Sequence, residues 1–355
     1  MDAYFPMKRK NKIIFLGSMN LGNKPDDGET MKNIILSEEI EKYAGKVIRI
    51  DLRNRPKRYY YLLKLLCILV FSPKRKVVLS ASSLVAFKLL KVFLRFGYDP
   101  QDIIYWVIGG NLEERIRNRE VDSRLYLDLK KMIVEGESMK KGLEQMGYSN
   151  VDHIPNFKRI PYIPDITTRK PGDVIRFVFL SRILPEKGVG YIIHSATKLQ
   201  KKYAGKFIVD FYGRIDPDYE KEFLNKISKQ ESISYKGFLN MQESAGYDTL
   251  ASYDVMLFPT YWPGEGFPGI VVDAFIAGIP IVATDWNLNS SLIADGKTGI
   301  IIPPHDVDAL ASTMESIMNG KIDIQQMGIN AQKEAKKYDV VNQIDEKYLK
   351  TLGLI

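Results

Sequence analysis

The chain has 355 residues, of which 45% are hydrophobic and 26% charged, as is typical of an ordered globular protein with two domains. One cysteine, Cys67, and three widely separated histidines argue against a disulfide framework, a thiolate zinc cage and a histidine metal site. The N-terminal MDAYFPMKRKNK lacks the apolar core of a signal peptide, and no uncharged apolar run reaches the ~18 residues of a transmembrane helix. We therefore expect a protein of a reducing, cytoplasmic compartment.

The net charge of +8 is unevenly distributed. Residues 1–165 carry 30 Lys and Arg against 20 Asp and Glu, whereas residues 166–355 carry 21 against 23. A basic excess confined to one half indicates an anionic partner for that half, which is nucleic acid, an acidic membrane or a phosphorylated substrate.

A short apolar strand followed by an amphipathic helix recurs in both halves. The predicted strands of the first half are Lys12–Leu16, Val47–Asp51, Val77–Ser80, Ile103–Val107 and Met132–Val134. Those of the second half are Arg176–Ser181, Phe207–Tyr212, Ile233–Lys236, Asp254–Phe258, Pro280–Thr284 and Gly299–Ile302. Helical spacing occurs in Met31–Tyr43, Gly190–Tyr203 and Asp308–Met318. Because such strands suit a parallel sheet covered on both faces, the pattern predicts an α/β protein with two sheets.

The segment between the halves, Arg159–Asp173, contains three prolines and no periodicity, which is typical of a linker. We expect an N-terminal domain over residues 1–160, a linker over 161–173 and a second domain over 174–338. The tail Gln332–Leu352 has a helical pattern and no following strand, so it either caps the second domain or crosses back to the first.

The loop Thr260–Gly269, TYWPGEGFPG, lies between a predicted strand and a predicted helix. Its glycines permit close backbone approach to a ligand, and Pro268 suits the first helical turn. Two carboxylates, Glu265 and Asp273, could bind ligand hydroxyls on either side of a diphosphate that lies at the start of the helix. The amides that would point at this anion are those of Gly269, Ile270 and Val271.

Two other interpretations of this loop are a surface turn and a dinucleotide fingerprint. Gly264, Gly266 and Gly269 have the spacing G-x-G-x-x-G, which favours NAD binding. However, Thr260–Pro263 separates the first glycine from the strand, and a proline directly precedes the third. The spacing of the loop therefore fits NAD poorly.

Arg182 and Lys187 stand five residues apart just after a predicted strand, separated by a proline turn. Open α/β sheets bind ligands beyond the carboxyl ends of their strands. The forked guanidinium of Arg182 and the compact ammonium of Lys187 would together suit a diphosphate at that position. The alternative interpretation is that both are solvated charges of a surface loop.

Several motifs of the second half share their order and spacing with one enzyme family. They are SRILPEKG, a strand ending in YG, KGFL, PTYWPGEGFP, AFIAGIPIVAT, DGKTG and IPP, between Arg176 and Met318. In these motifs the chain resembles the family-four retaining glycosyltransferases of the GT-B fold, which build polysaccharides and glycolipids. The first half is similar more loosely, in the glycine-rich segment with Gly17 and Gly28 and in VEGESMKKGLEQMGYSNVDHIPNF.

The resemblance implies two Rossmann-like domains facing across a cleft, with residues 339–355 as a helix that crosses back to the first, acceptor-side domain. It implies that Arg182 and Lys187 bind the donor pyrophosphate and that Glu265 contacts the donor sugar, which makes these three the candidate catalytic residues. Asp273 would hold the ribose. The remaining candidate donor-binding residues are Gly17, Gly28, Gly213, Phe238, Leu239, Gly266, Phe267, Pro268, Gly269, Ile270 and Val271.

Two features depart from the family's pattern. The second carboxylate is usually Glu, and here it is Asp273, one methylene shorter. Many members also have a first-domain histidine near the acceptor, but no histidine occurs in the first 150 residues of this chain. The corresponding region is YWVIGGN, whose candidate acceptor-side residues are Tyr105, Gly109, Gly110 and Asn111.

Some chemistry-bearing residues have simpler explanations. Asp216 and Asp218 imitate a metal-binding D-x-D but directly precede a helical pattern, which favours capping. Asp306 and Asp308 likewise indicate a helix start. His194 lies on a predicted helix, where we expect a packed side chain, and Cys67 falls in an apolar run, where we expect burial.

The segment Arg49–Lys76 contains nine Lys and Arg against one acid, Asp51. Between the basic clusters, Tyr59–Phe71 is apolar apart from Lys64, too short to span a bilayer but able to lie in an anionic surface. The alternative is a core helix with solvated ends. The two interpretations are compatible if one face of the helix packs on the domain and its basic ends face the lipid. The hypothesis is a peripheral enzyme on the inner leaflet of the cell membrane.

Together the residues and the resemblance predict a retaining glycosyltransferase that moves a hexose from a nucleotide-diphospho sugar, with UDP expected, to a lipid-linked or glycan acceptor. No metal or other cofactor is expected, because two cations and helix amides can stabilise the leaving diphosphate. The alternatives are a sugar-nucleotide epimerase, an inactive sugar-nucleotide-binding protein and a nucleic-acid-binding protein. The basic residues of the first half belong to no recognisable nucleic-acid motif, so no nucleic-acid partner is expected.

Overall fold

The computed structural model describes residues 13–23, 28–53, 57–71, 75–167 and 172–355. The chain forms two compact units, one from residues up to Arg159 together with Asp339–Ile355, the other from Ile160–Tyr338. Lys12 of the first predicted strand lies outside the described residues, as do Arg55 and Lys74 of the basic segment Arg49–Lys76 and the side chain of Arg58.

The first unit contains a six-stranded parallel sheet. Its strands are β1 (Ile13–Gly17), β2 (Val47–Asp51), β3 (Val77–Ser82), β4 (Ile103–Ile108), β5 (Lys131–Val134) and β6 (Val151–His153), in the order β2-β1-β3-β4-β5-β6. The helices between them are α1 (Gly28–Ala44), α2 (Arg58–Phe71), α3 (Ser83–Arg95), α4 (Leu112–Arg117) and α5 (Glu137–Gln145). The order makes β2 an edge strand, beside which the connection through α2 runs.

The second unit repeats this plan. Its strands are β7 (Ile175–Leu180), β8 (Phe207–Tyr212), β9 (Ile233–Tyr235), β10 (Val255–Phe258), β11 (Ile281–Thr284) and β12 (Gly299–Ile302), in the order β12-β11-β10-β7-β8-β9. Its helices are α6 (Val189–Tyr203), α7 (Glu220–Ile227), α8 (Ser244–Ala251), α9 (Gly269–Ile276), α10 (Asn289–Leu292), α11 (Val307–Met318) and α12 (Ile324–Ala335). Two parallel sheets with helices on both faces confirm the predicted α/β fold of two Rossmann-like domains.

Alternate residues of the strands face separate cores, as the buried apolar pattern requires. In the first unit, Phe15 and Trp106 pack under α1, whereas Leu16 and Leu79 pack under α2 and α3. Each of these side chains is almost completely buried. The strands are therefore fixed by two hydrophobic layers, which sets where their carboxyl ends and the following loops lie.

The tail differs from the single crossing helix expected over 339–355. It forms two short helices, α13 (Val340–Gln343) and α14 (Glu346–Thr351), because Asp339 and Asp345 each accept a backbone amide as helix caps. Both helices belong to the first unit, where Val340 pairs through its amide with the carbonyl of Lys158. Their apolar side chains join the core that contains Phe15.

The expected burial of Cys67 is wrong. The thiol lies on the outward face of α2 and is exposed. The apolar run predicts a helix correctly, but only one of its faces packs on the sheet. Among the described residues, no helix is long and apolar enough to cross a bilayer.

Candidate active site

The turn that carries Lys187 packs directly against the end of β10. A 3-10 turn over Pro185–Lys187 is followed by Gly188, whose φ of +78° is the left-handed conformation that glycine tolerates. A Cβ at this glycine would lie 2.0 Å from the carbonyl oxygen of Pro259. The close approach joins the cationic turn to the loop that begins with Thr260.

Lys187 and Glu265 form a buried ion pair. The Nζ of Lys187 lies 2.5 Å from Oε2 of Glu265, and the side chains are only 5% and 8% exposed. The hydroxyl of Thr260 donates to the same carboxylate oxygen at 3.0 Å. Burial lowers the pKa of Lys187, and the charge of Arg182 acts in the same direction, while Glu265 opposes both. An ammonium held in so little water interacts strongly with any anion brought against it.

An indole ring lies beside the two cations. The Cζ of Arg182 is 4.7 Å and the Nζ of Lys187 is 4.5 Å from the ring centroid of Trp262. Both distances are within the ~6 Å of a cation–π contact. Trp262 thus bridges the residues assigned to the pyrophosphate, a role that sequence reasoning missed although the aromatic residue stands within the glycine-rich loop.

Residues after β11 hold the backbone of this loop. The indole nitrogen of Trp286 donates to the carbonyl of Trp262 at 2.9 Å, and the side-chain amide of Asn287 donates to the carbonyl of Glu265 at 2.7 Å. The hydroxyl of Thr284 donates to the carbonyl of Thr260. Three side chains at the neighbouring strand end thus hold the loop that carries Glu265. Sequence reasoning missed all three, since their partners are backbone atoms.

Helix α9 starts at Gly269, and Pro268, expected in the first helical turn, is instead the cap residue that precedes it, with extended backbone. The amide of Val271, however, already donates to the carbonyl of Pro268 at 3.0 Å, so the expectation of three free amides is wrong for this one. Phe267 is also buried, and its ring packs edge-on against Tyr338 at 5.7 Å between centroids. Its side chain therefore belongs to the core beneath the loop, next to the glycine backbone at Gly266.

Asp273 lies on the second turn of α9 and is only 3% exposed. Its Oδ1 accepts a hydrogen bond of 2.9 Å from the hydroxyl of Tyr247 on α8. Burial and the nearby carboxylate raise the pKa of this tyrosine, so its hydroxyl stays a neutral donor. Sequence reasoning placed Asp273 correctly on the helix but gave no sign of the tyrosine partner.

Three of the candidate donor-binding residues, Gly213, Phe238 and Leu239, follow β8 and β9. Gly213 has a φ of +140°, and a Cβ there would lie 1.7 Å from the carbonyl oxygen of Ser181. Its amide donates to the carbonyl of Gly237 at 2.8 Å. Next to it, the ring of Phe238 is 66% exposed, with the guanidinium of Arg214 5.8 Å from the ring centroid, whereas Leu239 is partly buried. An exposed aromatic face is suited to stacking on a base.

In the first unit, Gly17 ends β1 against Asn33. A Cβ at Gly17 would lie 2.8 Å from Nδ2 of Asn33, which donates to the carbonyl of Ser18 at 3.1 Å. The loop is also held by Asp51, whose carboxylate accepts the amides of Met19 and Leu21. Gly28 is the first residue of α1, with no atom within 4 Å of its Cβ position, and residues 24–27 before it lie outside the described part.

The candidate acceptor region requires a correction. Tyr105 lies within β4, fully buried, with its hydroxyl donating to the carbonyl of Ala81 at 3.3 Å. Because the residue alternation of the strand turns its side chain into the core, it cannot reach a ligand, and the expectation is wrong. Gly109 and Gly110 follow the strand with open space at their Cβ positions, and Asn111 accepts from the hydroxyl of Ser83.

The two D-x-D-like pairs serve local turns. Asp216 accepts the amide of Asp218 at 3.0 Å, although the helix-cap position of α7 is Tyr219. Asp306 caps α11 by accepting the amide of Ala309, which confirms the expected helix start. The structure contains no cluster of three or more His, Cys, Asp or Glu suited to a metal among the residues it describes.

Comparisons with known proteins agree with this architecture. Residues 166–334 match the family model of glycosyl transferases group 1. The chain is 26% identical over 155 residues to alpha-D-kanosaminyltransferase of Streptomyces kanamyceticus, which covers 43% of this chain and 39% of that protein. It is 27% identical over 179 residues to phosphatidyl-myo-inositol mannosyltransferase of Mycolicibacterium smegmatis, with 50% and 45% covered. The chain thus spans less than half the length of these relatives.

A solved structure extends the likeness over both units. The crystal structure of HepE from Anabaena, in complex with UDP-glucose, superposes with a TM-score of 0.69 at 16% identity, covering 97% of this chain and 100% of that one. At 16% sequence identity, this structural similarity establishes the fold alone. The chain therefore has the GT-B fold, and within its second unit residues 166–334 match the family model of glycosyl transferases group 1.

Proposed function

We propose that this chain is a retaining hexosyltransferase that uses a nucleotide-diphospho sugar, with UDP as the nucleotide, and that needs no divalent metal. The observation that carries the proposal is the convergence of Arg182, Lys187 and Glu265 around Trp262 at the end of β7. The complex of HepE with UDP-glucose and the glycosyltransferase names of the curated relatives support the same class of donor.

The residues suit the stabilisation of a leaving diphosphate. As the bond between the sugar anomeric carbon and the diphosphate oxygen breaks, negative charge develops on that oxygen. The guanidinium of Arg182 provides paired donors and the ammonium of Lys187 a compact charge in a poorly hydrated position. Fixed cations of this kind stabilise developing charge without a metal ion.

Retention follows when the acceptor attacks from the face that the diphosphate leaves. The acceptor oxygen then forms the new bond to the anomeric carbon, and the departing phosphate oxygen takes the proton of the acceptor hydroxyl. Glu265 pairs with Lys187 at 2.5 Å, which places its carboxylate beside the proposed diphosphate site, where it would bind a hydroxyl of the donor sugar. This scheme needs no separate general base.

The acceptor is proposed to be lipid-linked or a glycan, and the enzyme to work peripherally on the cytoplasmic leaflet. The basic excess of residues 1–165 supports an anionic environment for the first unit. A lipid-linked acceptor that carries phosphate would be concentrated at such a surface.

The experiment is a screen of purified protein against a panel of UDP-, GDP- and dTDP-sugars, with donor hydrolysis and thermal shift as the two measurements. We expect one UDP-hexose to raise the unfolding temperature most and to be hydrolysed slowly without acceptor. Lys202→Ala, which removes an exposed lysine of the same unit, should respond as the wild type does. If no sugar nucleotide stabilises the protein, the donor assignment is wrong; if the donor is only converted to its epimer, the reaction is epimerisation.

A further inference from the structure

Helix α2 of the first unit has one packed face and one bare apolar face. Its packed residues belong to the core beneath the sheet: Tyr61, Leu65, Ile68 and Leu69. Its outward large apolar residues are between 49% and 84% exposed: Tyr59, Tyr60, Leu62, Leu63, Leu66, Val70 and Phe71. Isolated apolar residues are common on protein surfaces, but a continuous stripe of this length on one helix marks an interaction site.

Basic residues lie at both ends of this face, and one of them, Lys76, pairs with Asp102 at 2.6 Å. Helix α2 contains no acidic residue, and Arg53 and Lys57 precede it while Arg75 and Lys76 follow it. The single nearby acid of the segment, Asp51, is buried and accepts backbone amides. The partner of the apolar face therefore meets basic groups at both ends of the helix.

A cavity of about 520 Å³ lies between α2 and the edge strand β2. It is lined by the basic side chains of Lys46, Arg49, Lys64 and Arg75 and by Cys67, Ile68 and Phe71 from the helix. Arg49, one of these basic residues, pairs with the acid Glu41 at 2.9 Å. Lys64 donates to the carbonyl of Arg49 at 3.1 Å. Basic groups thus outnumber the acid, and the apolar wall continues into the exposed face.

Charge complementarity selects the occupant. In a two-fold dimer through this face, the basic groups at the ends of one helix would approach the basic groups of the other copy, which is repulsive. A nucleic-acid backbone would match the cations but would leave the leucines and Phe71 against phosphates. An anionic bilayer satisfies both features, because apolar side chains enter the boundary of the acyl chains while Lys and Arg reach the lipid phosphates.

We infer that α2 lies in the plane of an anionic phospholipid bilayer, with its outward face in the interface and a lipid headgroup phosphate in the cavity beside β2. The inference deepens the membrane part of the proposed function and is independent of donor chemistry. Donor-dependent thermal shift therefore reports on the sugar-nucleotide site, and vesicle binding reports on α2.

The test is cosedimentation of the full chain with vesicles of phosphatidylcholine alone or of equal parts phosphatidylcholine and phosphatidylglycerol. We expect binding to the anionic vesicles only, and release by high salt. Removing two cavity charges, in Lys46→Gln/Arg75→Gln, should weaken binding roughly 30-fold, since each contributes ~1 kcal/mol near such a surface. Leu63→Asn/Leu66→Asn should weaken it by at least about tenfold.

Matched controls come from the second unit. Leu224→Asn changes an exposed leucine of α7, and Lys201→Gln/Lys229→Gln removes two exposed lysines. Both should bind as the wild type does. Every variant should keep its thermal midpoint, since the replaced side chains are exposed or line an open cavity, and should keep its shift with sugar nucleotide.

The chain's single cysteine adds a local readout, because Cys67 is exposed beside the cavity. An environment-sensitive fluorophore on Cys67 should shift to the blue with anionic vesicles and stay unchanged with neutral ones. Equal binding to both vesicle types would overturn the phosphate site, and binding to neither would overturn the docking face. Concentration-dependent dimerisation that Leu63→Asn/Leu66→Asn abolishes would assign the face to a second copy instead.

Discussion

The hydroxyl of Tyr247 lies 2.9 Å from Oδ1 of Asp273, and both side chains are buried between α8 and α9. The family that the chain resembles usually has Glu at the second position. A carboxylate one methylene shorter stays closer to its own helix, within reach of the tyrosine. Tyr247 therefore sets the orientation of the carboxylate proposed to hold the ribose.

Tyr247→Phe tests this positioning. The variant should raise the donor KM about three- to tenfold with little change in kcat. A hydrogen bond from a neutral hydroxyl to a carboxylate is worth about 1.5–3 kcal/mol, and its loss would be divided between folding stability and donor binding. Asp273→Asn should raise KM further. If Tyr247→Phe leaves both KM and the thermal midpoint unchanged, the tyrosine does not position the carboxylate.

The same tyrosine gives a pH dependence of stability. Burial raises the pKa of Tyr247 above its ordinary value, so the folded state holds the proton more tightly than the unfolded state does. Its contribution to stability is complete below the unfolded pKa of about 10 and is lost as the pH rises beyond it. Urea unfolding from pH 8 to 11 should show a shallower alkaline loss for Tyr247→Phe than for the wild type, and identical slopes would contradict the assignment.

The parts of this protein that were predictable from sequence are those set by continuous local pattern. Strands such as Phe207–Tyr212 and Val47–Asp51 match to the residue, because they are apolar and bounded by turn residues. Strand β6 was missed, since three residues with a histidine and an aspartate carry no strand pattern. Tyr105 lies inside the predicted strand Ile103–Val107, and its acceptor role was wrong because it followed the resemblance to the family and not the strand alternation that turns this side chain inward.

The candidate site divides in the same way. Arg182, Lys187 and Glu265 were identifiable because charge stands beside glycine and proline after a strand. Trp262 was not, because an aromatic side chain has no single expected partner. Its contacts with Arg182 and Lys187 depend on how β7 and β10 lie next to each other in the sheet, and the hydrogen bonds from Trp286 and Asn287 depend on the pairing of β10 with β11.

Trp262→Leu should separate orientation from charge. Without the indole, Arg182 and Lys187 keep their charges but lose the ring that contacts both. Each lost cation–π contact should cost roughly 0.5–2 kcal/mol of interaction energy. We expect the donor KM to rise about tenfold and the thermal midpoint to fall. Trp262→Phe, which keeps an aromatic face, should recover most of both losses. Equal effects of Leu and Phe would mean that the ring only fills space.

The depressed pKa of Lys187 predicts an alkaline limit for donor binding. Because burial lowers this pKa, the ammonium loses its proton at a lower pH than an exposed lysine does, and the diphosphate then loses one partner. Donor affinity should fall as the pH rises through that value. In Lys187→Arg the fall should move to higher pH, since a guanidinium stays charged above ~12. An unchanged alkaline limb would mean that another group titrates.

Removal of divalent metal should leave turnover unchanged. The proposed phosphate partners are side-chain cations, so excess EDTA should not slow sugar transfer. The control is Asp216→Asn, which should also be active, because Asp216 accepts the backbone amide of Asp218 in a local turn. Loss of activity in EDTA that manganese or magnesium restores, together with an inactive Asp216→Asn, would assign a metal role to this pair.

Removing the ammonium should cost far more in turnover than in binding. Lys187→Ala should lower kcat by two to four orders of magnitude, about 3–5 kcal/mol of transition-state stabilisation, because the charge that develops on the leaving diphosphate loses its least hydrated partner. It also leaves Glu265 buried with Thr260 as its remaining hydrogen-bond donor in the described part of the site, so folding must be checked by thermal unfolding. Lys187→Ala/Glu265→Gln removes that unpaired charge and should regain stability without regaining kcat. A purified Lys187→Ala protein with full activity would show that the diphosphate binds elsewhere.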